Sequence, residues 1–305
     1  MAVKSATDNS ESLDESRFFA RKPSKFRLKL DEVDEILDFK WVDYREAQKV
    51  RMRLRFLLRY KNTIRPPCML ILGDTNNGKT SLIRNFAYRA AQISEIRPNK
   101  ECVPIVYVQA PPAPDLGALY EELLREVNAV HSPSWRPDRK RVLISDLFPE
   151  LGVRMIVVDE VNNLLQAKPD QIRLFFNGLK NLTNDLGIPI VAVGTPDVEP
   201  AFQTNQQIGN RFKPCRLPRW DAGKDYASFV RRVLKRDGFE AADDLITVAF
   251  VNRIHALTEG LTGETTELLQ KAMIATHEAG RKRVEAADIN NTDWVPPGER
   301  RAKAR

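Results

Sequence analysis

The chain reads as an α/β protein in which a parallel sheet is covered by helices on both faces and is followed by a small helical domain. Three observations carry that reading. Short apolar runs of strand length recur at 69–72, 105–108, 155–158, 188–193 and 213–217. Helical apolar spacing fills the intervals, over 116–130 and 169–186 and from Lys79 to about residue 93. After Trp220 the strand pattern stops, and 226–236, 245–258 and 264–279 all read as helices closed by Gly238, Gly260 and Gly280.

The five strands and their helices place an α/β core at 66–219, with a helical lid at 220–292. Residues 1–25 are polar, charged and without periodicity, which reads as a mobile arm. The segment 26–65 turns helical from Leu30 to Tyr60. Leu54, Leu57 and Leu58 form one apolar stripe there, Arg51, Arg53, Arg55 and Arg59 crowd around it, and Pro66-Pro67 stops it. The interval 131–141 reads as a loop rich in proline and basic residues. The tail 293–305 is basic and reads as loose.

With 305 residues and 42% hydrophobic content the chain can bury a large core. No apolar run approaches the ~20 residues of a spanning helix. The N-terminus, rich in Ser, Asp and Glu, carries no apolar targeting stretch, so the expected location is the cytosol. Cys68, Cys102 and Cys215 are scattered, which argues against a disulfide framework or a zinc site. The net charge of +7 favours nucleic acid or another polyanion as partner.

The segment Gly73-Asp74-Thr75-Asn76-Asn77-Gly78-Lys79-Thr80 satisfies GxxxxGK[ST] between a strand and a helix, the setting of a phosphate-binding P-loop. Its glycines let several N–H groups face one anion, and the helix that follows, running on through Ser81, adds its positive end. Lys79 is placed to reach the β- and γ-phosphates of ATP, and Thr80 to hold Mg²⁺. The third strand runs into Asp159-Glu160, at the end where ligands bind open α/β sheets. Asp159 is the second Mg²⁺ residue, and Glu160 the group that orients the attacking water. Thr195, after the fourth strand, is either a polar sensor between these motifs or an N-cap ahead of Pro196, and both roles can coexist. Arg211 is the arginine-finger candidate toward a neighbouring subunit, against a plain surface arginine, with Arg216 and Arg219 as competitors. Arg136, Arg139, Lys140 and Arg141, beside Trp135, form either a DNA-backbone contact or a solvated charge run.

The order of these motifs resembles the AAA+ superfamily of P-loop NTPases. The wording resembles its TniB/TnsC branch of transposition regulators. The residues concerned are Gly73 to Thr80, the run from Val158 through Leu165, the run from Ile188 through Pro196, Asn210-Arg211-Phe212, and Gln109-Ala110-Pro111-Pro112. The resemblance spans roughly residues 40–285. It implies an ATPase that binds duplex DNA when loaded with ATP and assembles there as a homo-oligomeric ring or helical filament. It further implies that the assembly recruits a DDE-type transposase, with a TniQ-type protein able to mark the site, and is reset by hydrolysis. By the same resemblance the expected location is the bacterial nucleoid, away from membranes, and Lys79, Thr80, Asp159, Glu160, Thr195 and Arg211 carry the family roles. Two departures stand out. Asn162 replaces a His common in the branch, and Gly263-Glu264-Thr265 stands where AAA+ lids offer an arginine to the nucleotide. The alternatives are a secretion-linked, ExeA-like remodelling ATPase and a nucleotide-gated loader.

Overall fold

The computed structural model of the protein describes residues 36–38, 40–60, 63–94, 102–204 and 206–303. The arm expected over 1–25 and the opening of the 26–65 segment lie outside the described residues. In chain order the elements are α1 (Arg45–Leu57), β1 (Cys68–Leu72), α2 (Lys79–Ser94), β2 (Ile105–Gln109), α3 (Leu116–Glu126), α4 (Pro137–Glu150), β3 (Met155–Asp159), α5 (Pro169–Leu186), β4 (Ile190–Gly194), α6 (Glu199–Gln203), α7 (Gln206–Gly209) and β5 (Phe212–Arg216). The lid then contributes α8 (Lys224–Arg236), β6 (Glu240–Ala241), α9 (Val248–Thr258), α10 (Thr262–Glu278), β7 (Arg283–Val284), α11 (Ala286–Asn290) and α12 (Pro297–Lys303).

The five long strands form one parallel sheet in the order β2-β3-β4-β1-β5. Alternation along each strand divides the core in two. Met69, Ile71, Met155, Val157, Val191 and Val193 face the side covered by α1, α2 and the lid. Leu70, Leu72, Ile156, Val158, Ile190 and Ala192 face α3, α4 and α5. Near-continuous apolar strands are what a sheet covered on both faces requires. On the second side Phe202 stacks between Phe176, with ring centroids 4.1 Å apart, and Phe212, at 5.2 Å. Such aromatic pairs add about 0.5–1.5 kcal/mol beyond their area. They hold α6 against the start of β5.

The structure corrects several expectations. The pattern predicted helix from Leu30; residues 36–37 are helical, but 40–44 are not and α1 begins at Arg45. Tyr44 is extended because its ring is drawn onto the lid, 4.9 Å from Trp220 and 5.6 Å from Phe229. Helix α3 stops at Glu126 rather than 130, where Asn128 takes a left-handed conformation with φ 51°. The loop expected over 131–141 gives way at Pro137 to α4, with proline at its first turn, where the missing N–H costs nothing. The lid does contain strands, the parallel pair β6 and β7, each too short to show a period. The tail is not loose: α12 docks through Arg300 on Glu264 and Arg301 on Glu259. The apolar cluster of the first face also runs unbroken from α1 and α2 into α8, α9 and α10.

Candidate functional site

Residues Gly73 to Thr80 connect the C-terminal end of β1 to the first turn of α2, where unpaired helical N–H groups and the positive end of the helix converge. Gly78 takes φ 81°, a conformation that a side chain would strain. A Cβ on Gly73 would lie 3.0 Å from the Leu217 carbonyl, so β5 and the loop approach as closely as glycine allows. Lys79 Nζ donates to the carbonyls of Gly73 at 2.7 Å and Asp74 at 2.8 Å, which curls it over the loop. Burial pushes the Lys79 ammonium below its ordinary value, and the carboxylates of Asp159, Asp74 and Glu160 oppose that shift. A partly desolvated ammonium in a cradle of N–H groups is chemistry suited to an anion.

Asp159 is buried at the end of β3. Its Oδ2 accepts the Thr80 hydroxyl and the Tyr107 hydroxyl, both at 2.7 Å, and its Oδ1 accepts the Glu160 N–H at 2.8 Å. The P-loop threonine and the strand carboxylate are therefore in direct contact. This pair of hard oxygen donors suits Mg²⁺, which keeps several waters and takes few protein ligands. Glu160 has φ 56°, uncommon for a non-glycine residue, and its side chain is exposed beyond the strand end.

Because β4 lies between β3 and β1, Thr195 emerges between Asp159 and the P-loop. It stands at the N-cap of a short 3-10 turn, Pro196–Val198, but its hydroxyl makes no capping bond, so the cap is served by backbone alone. Arg211 sits at the opposite end of the sheet, just before β5, about 17 Å of strand away from the loop. It donates to Thr183 Oγ1 at 2.5 Å and Asn184 Oδ1 at 2.8 Å, and so does not join Lys79 within one chain. Arg216 pairs with Glu199 at 2.5 Å. Arg219 is a residue of the loop's own surroundings. It reaches Asp74 at 2.5 Å and Glu259 at 3.2 Å, which removes it as a competitor for a finger acting on a neighbour.

The model of a family described as bacterial TniB protein matches residues 32–222. The chain belongs to the TniB family. No curated protein matches it in sequence. Among solved structures, this TniB chain is similar to the ORC2 protein of Aeropyrum pernix in its ADPNP-ADP complexes, at TM-score 0.59 and 13% identity over 88% of this chain and 74% of that one. Domain III of the replication initiation protein DnaA from Thermotoga maritima aligns at TM-score 0.55 and 16% identity, over 84% and 95%. The Aeropyrum pernix ORC1 protein in complex with DNA aligns at TM-score 0.53 and 17% identity, over 85% and 64%. These likenesses identify the fold as that of an AAA+ P-loop NTPase.

Other residues of the TniB site lie at positions that the P-loop pattern leaves open. Asn77 is buried and donates to the carbonyls of Leu217 at 2.9 Å and Pro218 at 3.0 Å, while its Oδ1 accepts the Thr262 N–H at 3.3 Å. Asn76, at φ 59°, donates to Glu264 at 2.9 Å. The loop is thus clamped to the start of α10. A cavity of about 230 Å³ opens beside Gly78 and Ser81, walled by Trp41, Tyr44, Phe229 and Thr262. Trp41 Nε1 and the Tyr44 hydroxyl are buried there, the first beside the Asp43 carboxylate and the second beside Thr262. Burial raises the Tyr44 phenol to about 12. Aromatic walls next to a phosphate cradle suit a nucleoside base. Only spatial convergence of 41–44 with the lid reveals this cavity.

The basic set at 136–141 does not act as one surface. Lys140 is buried, with Nζ 2.5 Å from Glu121, and this excludes it from contact with DNA. Arg141 is held by Asp185 at 2.6 Å. Arg139 stacks on the Trp135 ring at 3.8 Å with its outer face exposed, and Arg136 is exposed at the start of α4. The set is divided by its partners: Lys140 is drawn onto Glu121 and Arg141 onto Asp185, which leaves Arg136 and Arg139 facing outward. Among the described residues no helix is long and apolar enough to cross a membrane.

Proposed function

We propose that this TniB-family protein is an ATP-hydrolysing switch that binds duplex DNA when loaded with nucleotide. On DNA it assembles with further copies as a ring or filament, recruits and stimulates a DDE-type transposase, and is reset by hydrolysis. A TniQ-type partner would mark the site, and the working location is the bacterial nucleoid. The carrying observation is the contact of Thr80 with Asp159 beside Lys79 in a P-loop cradle. Family membership and the nucleotide- and DNA-bound states named for the ORC structures support it.

In this reading the N–H groups of Gly73 to Thr80 and the Lys79 ammonium hold the β- and γ-phosphates. Thr80 and Asp159 hold Mg²⁺, which supplies charge neutralisation on the phosphates. Tyr107 fixes the Asp159 carboxylate. Glu160 accepts a hydrogen bond from the attacking water and orients it, and Thr195 contributes a second polar contact on that side. Trp41 and Tyr44 border the base. Arg211, remote from Lys79 in its own chain, serves the γ-phosphate of an adjacent copy, which ties turnover to assembly. Of the basic set, Arg136 and Arg139 keep a role on the DNA backbone.

The test is ATP turnover by the wild type and Glu160→Gln, with and without duplex DNA. The expected result is that Glu160→Gln retains nucleotide and DNA binding but loses turnover by at least about 100-fold. Turnover indifferent to Glu160, or stimulated by a protein partner and not by DNA, would replace this reading with a protein-directed ATPase.

A further inference from the structure

After β5 the chain crosses from core to lid in one short link, Leu217-Pro218-Arg219-Trp220. Leu217 still belongs to the sheet, since its N–H donates to the Leu72 carbonyl at 2.7 Å. Trp220 already belongs to the lid. Its N–H donates to the Gly260 carbonyl at 2.8 Å, its carbonyl accepts the His255 Nε2–H at 2.6 Å, and its ring stacks on Phe229 with centroids 4.8 Å apart. A rotation of the lid that keeps both sets of contacts is therefore taken up along this link, between Leu217 and Trp220.

The link is fastened to the P-loop by Asn77. Its Nδ2 donates to the Leu217 and Pro218 carbonyls at 2.9 and 3.0 Å, and its Oδ1 accepts both the N–H and the hydroxyl of Thr262 at 3.3 Å. An amide side chain has two N–H groups and two acceptor sites. Here link and lid use all four, on a side chain that is 1% exposed. Thr262 Oγ1 also accepts Trp220 Nε1 at 3.1 Å, which closes a ring of contacts back onto the link. Phosphate binding asks nothing of this position, which GxxxxGK[ST] leaves open. The cavity beside the loop lies against the same bridge: Gly78 borders it from the core, and Thr262 and Gly263 border it from the lid.

We infer that Asn77 is a positioning residue that transmits occupancy of the P-loop to the angle of the lid, and so sets how long nucleotide is retained. The inference rests on the reading of this loop and cavity as the nucleotide site. With the four hydrogen bonds in place, the loop, the link and the start of α10 move together. Without them, the loop fills while the lid does not follow.

Trp220 reports on the link, because its indole N–H is one member of the ring of contacts. The full chain is labelled with 5-fluorotryptophan, and the Trp220 fluorine signal is assigned with Trp220→Phe. A non-hydrolysable ATP analogue with Mg²⁺ should shift that signal in the wild type, with the midpoint that calorimetry gives for binding. Asn77→Ala should still bind the analogue through Lys79 and the loop N–H groups. Its Trp220 shift should fall at least about threefold and analogue release should quicken about tenfold, as the loss of one or two net hydrogen bonds implies. Thr262→Val, which removes only the hydroxyl, should lose part of the shift, and it decides the matter where Asn77→Ala does not fold. Thr262→Ser, which keeps the hydroxyl, should restore the shift. A general loss of stability would weaken binding and shift alike, whereas coupling separates them. Binding by the variants with the full shift and unchanged release, or binding by the wild type with no shift, would overturn the role of Asn77 and leave the nucleotide site standing. Failure of the wild type to bind would overturn the nucleotide reading, and the coupling with it.

Discussion

Arg219 Nε donates to Asp74 Oδ2 at 2.5 Å, and the same guanidinium reaches Glu259 Oε2 at 3.2 Å. Glu259 in turn receives Arg301 and the Gly298 N–H from α12. A parallel chain runs from Asn76 of the P-loop through Glu264 to Arg300. Each arginine of the terminal helix is therefore linked to the P-loop through one lid glutamate. The Arg219 and Arg301 pairs are largely exposed, and such pairs contribute only about 0–1 kcal/mol to stability, whereas Glu264 of the Arg300 pair is buried. Their effect is expected on the loop's motion. Arg301→Ala should change global stability by about 1 kcal/mol or less while speeding release of a fluorescent ADP analogue several-fold. Unchanged release in stopped-flow would remove α12 from any part in nucleotide retention.

The lid's lack of an arginine at its first turn has a steric cause. A Cβ on Gly263 would lie 2.0 Å from Asn76 Oδ1 and 2.7 Å from the Asn76 carbonyl, which already accepts the Gly263 N–H. Gly263→Ala should therefore cost about 1–3 kcal/mol and lower the melting midpoint by several degrees. Gly263→Arg, which restores the usual AAA+ residue type, should weaken nucleotide binding rather than strengthen it. A stabilised, tighter-binding Gly263→Arg would contradict the clamp between Asn76 and α10.

Tyr107 offers a cleaner perturbation of the metal residues. Its hydroxyl is held on Asp159, and burial, with that carboxylate beside it, pushes the phenol well above its ordinary value, so it remains a donor. Tyr107→Phe removes one hydrogen bond to a charged oxygen and little volume. The Mg²⁺ concentration for half-maximal turnover should rise about tenfold, with metal-free nucleotide affinity unchanged. An unaltered Mg²⁺ dependence would leave Tyr107 with packing alone.

Docking of α12 should be acid-labile. Burial raises the Glu259 carboxyl, but the Gly298 N–H, Arg301 and Arg219 outweigh it and hold the group below its ordinary value of 4.5. A depressed carboxylate contributes stability that is fully present above 4.5 and is lost as pH falls through its lower folded value. Hydrogen exchange at the Gly298 amide should lose protection in that range while β1 and β3 stay protected. Persistent protection below it would show that Glu259 is not what fastens the helix.

The strands and the P-loop were legible because they depend on local pattern. Apolar runs such as Met155 to Val158 have no alternative to a buried strand, and Gly73 to Thr80 encode their own turn. What was not legible depends on distant partners. Asn76 and Asn77 occupy unconstrained motif positions, and their roles exist only because Thr262 and Glu264 arrive beside them. Lys140 looked like its basic neighbours until the helix turned it onto Glu121. The stretch 40–44 was lost from the predicted helix because Tyr44 gains more from Trp220 and Phe229 than from continuing α1. The tail looked loose because its acidic partners lie about forty residues upstream.

The most direct test of nucleotide-gated DNA binding is fluorescence anisotropy of a labelled duplex, with a non-hydrolysable ATP analogue and without nucleotide, for the wild type and Lys79→Ala. The account predicts salt-sensitive binding by the wild type that requires the analogue and is absent in Lys79→Ala. Binding that ignores both the analogue and Lys79, or no binding in any state, would contradict it.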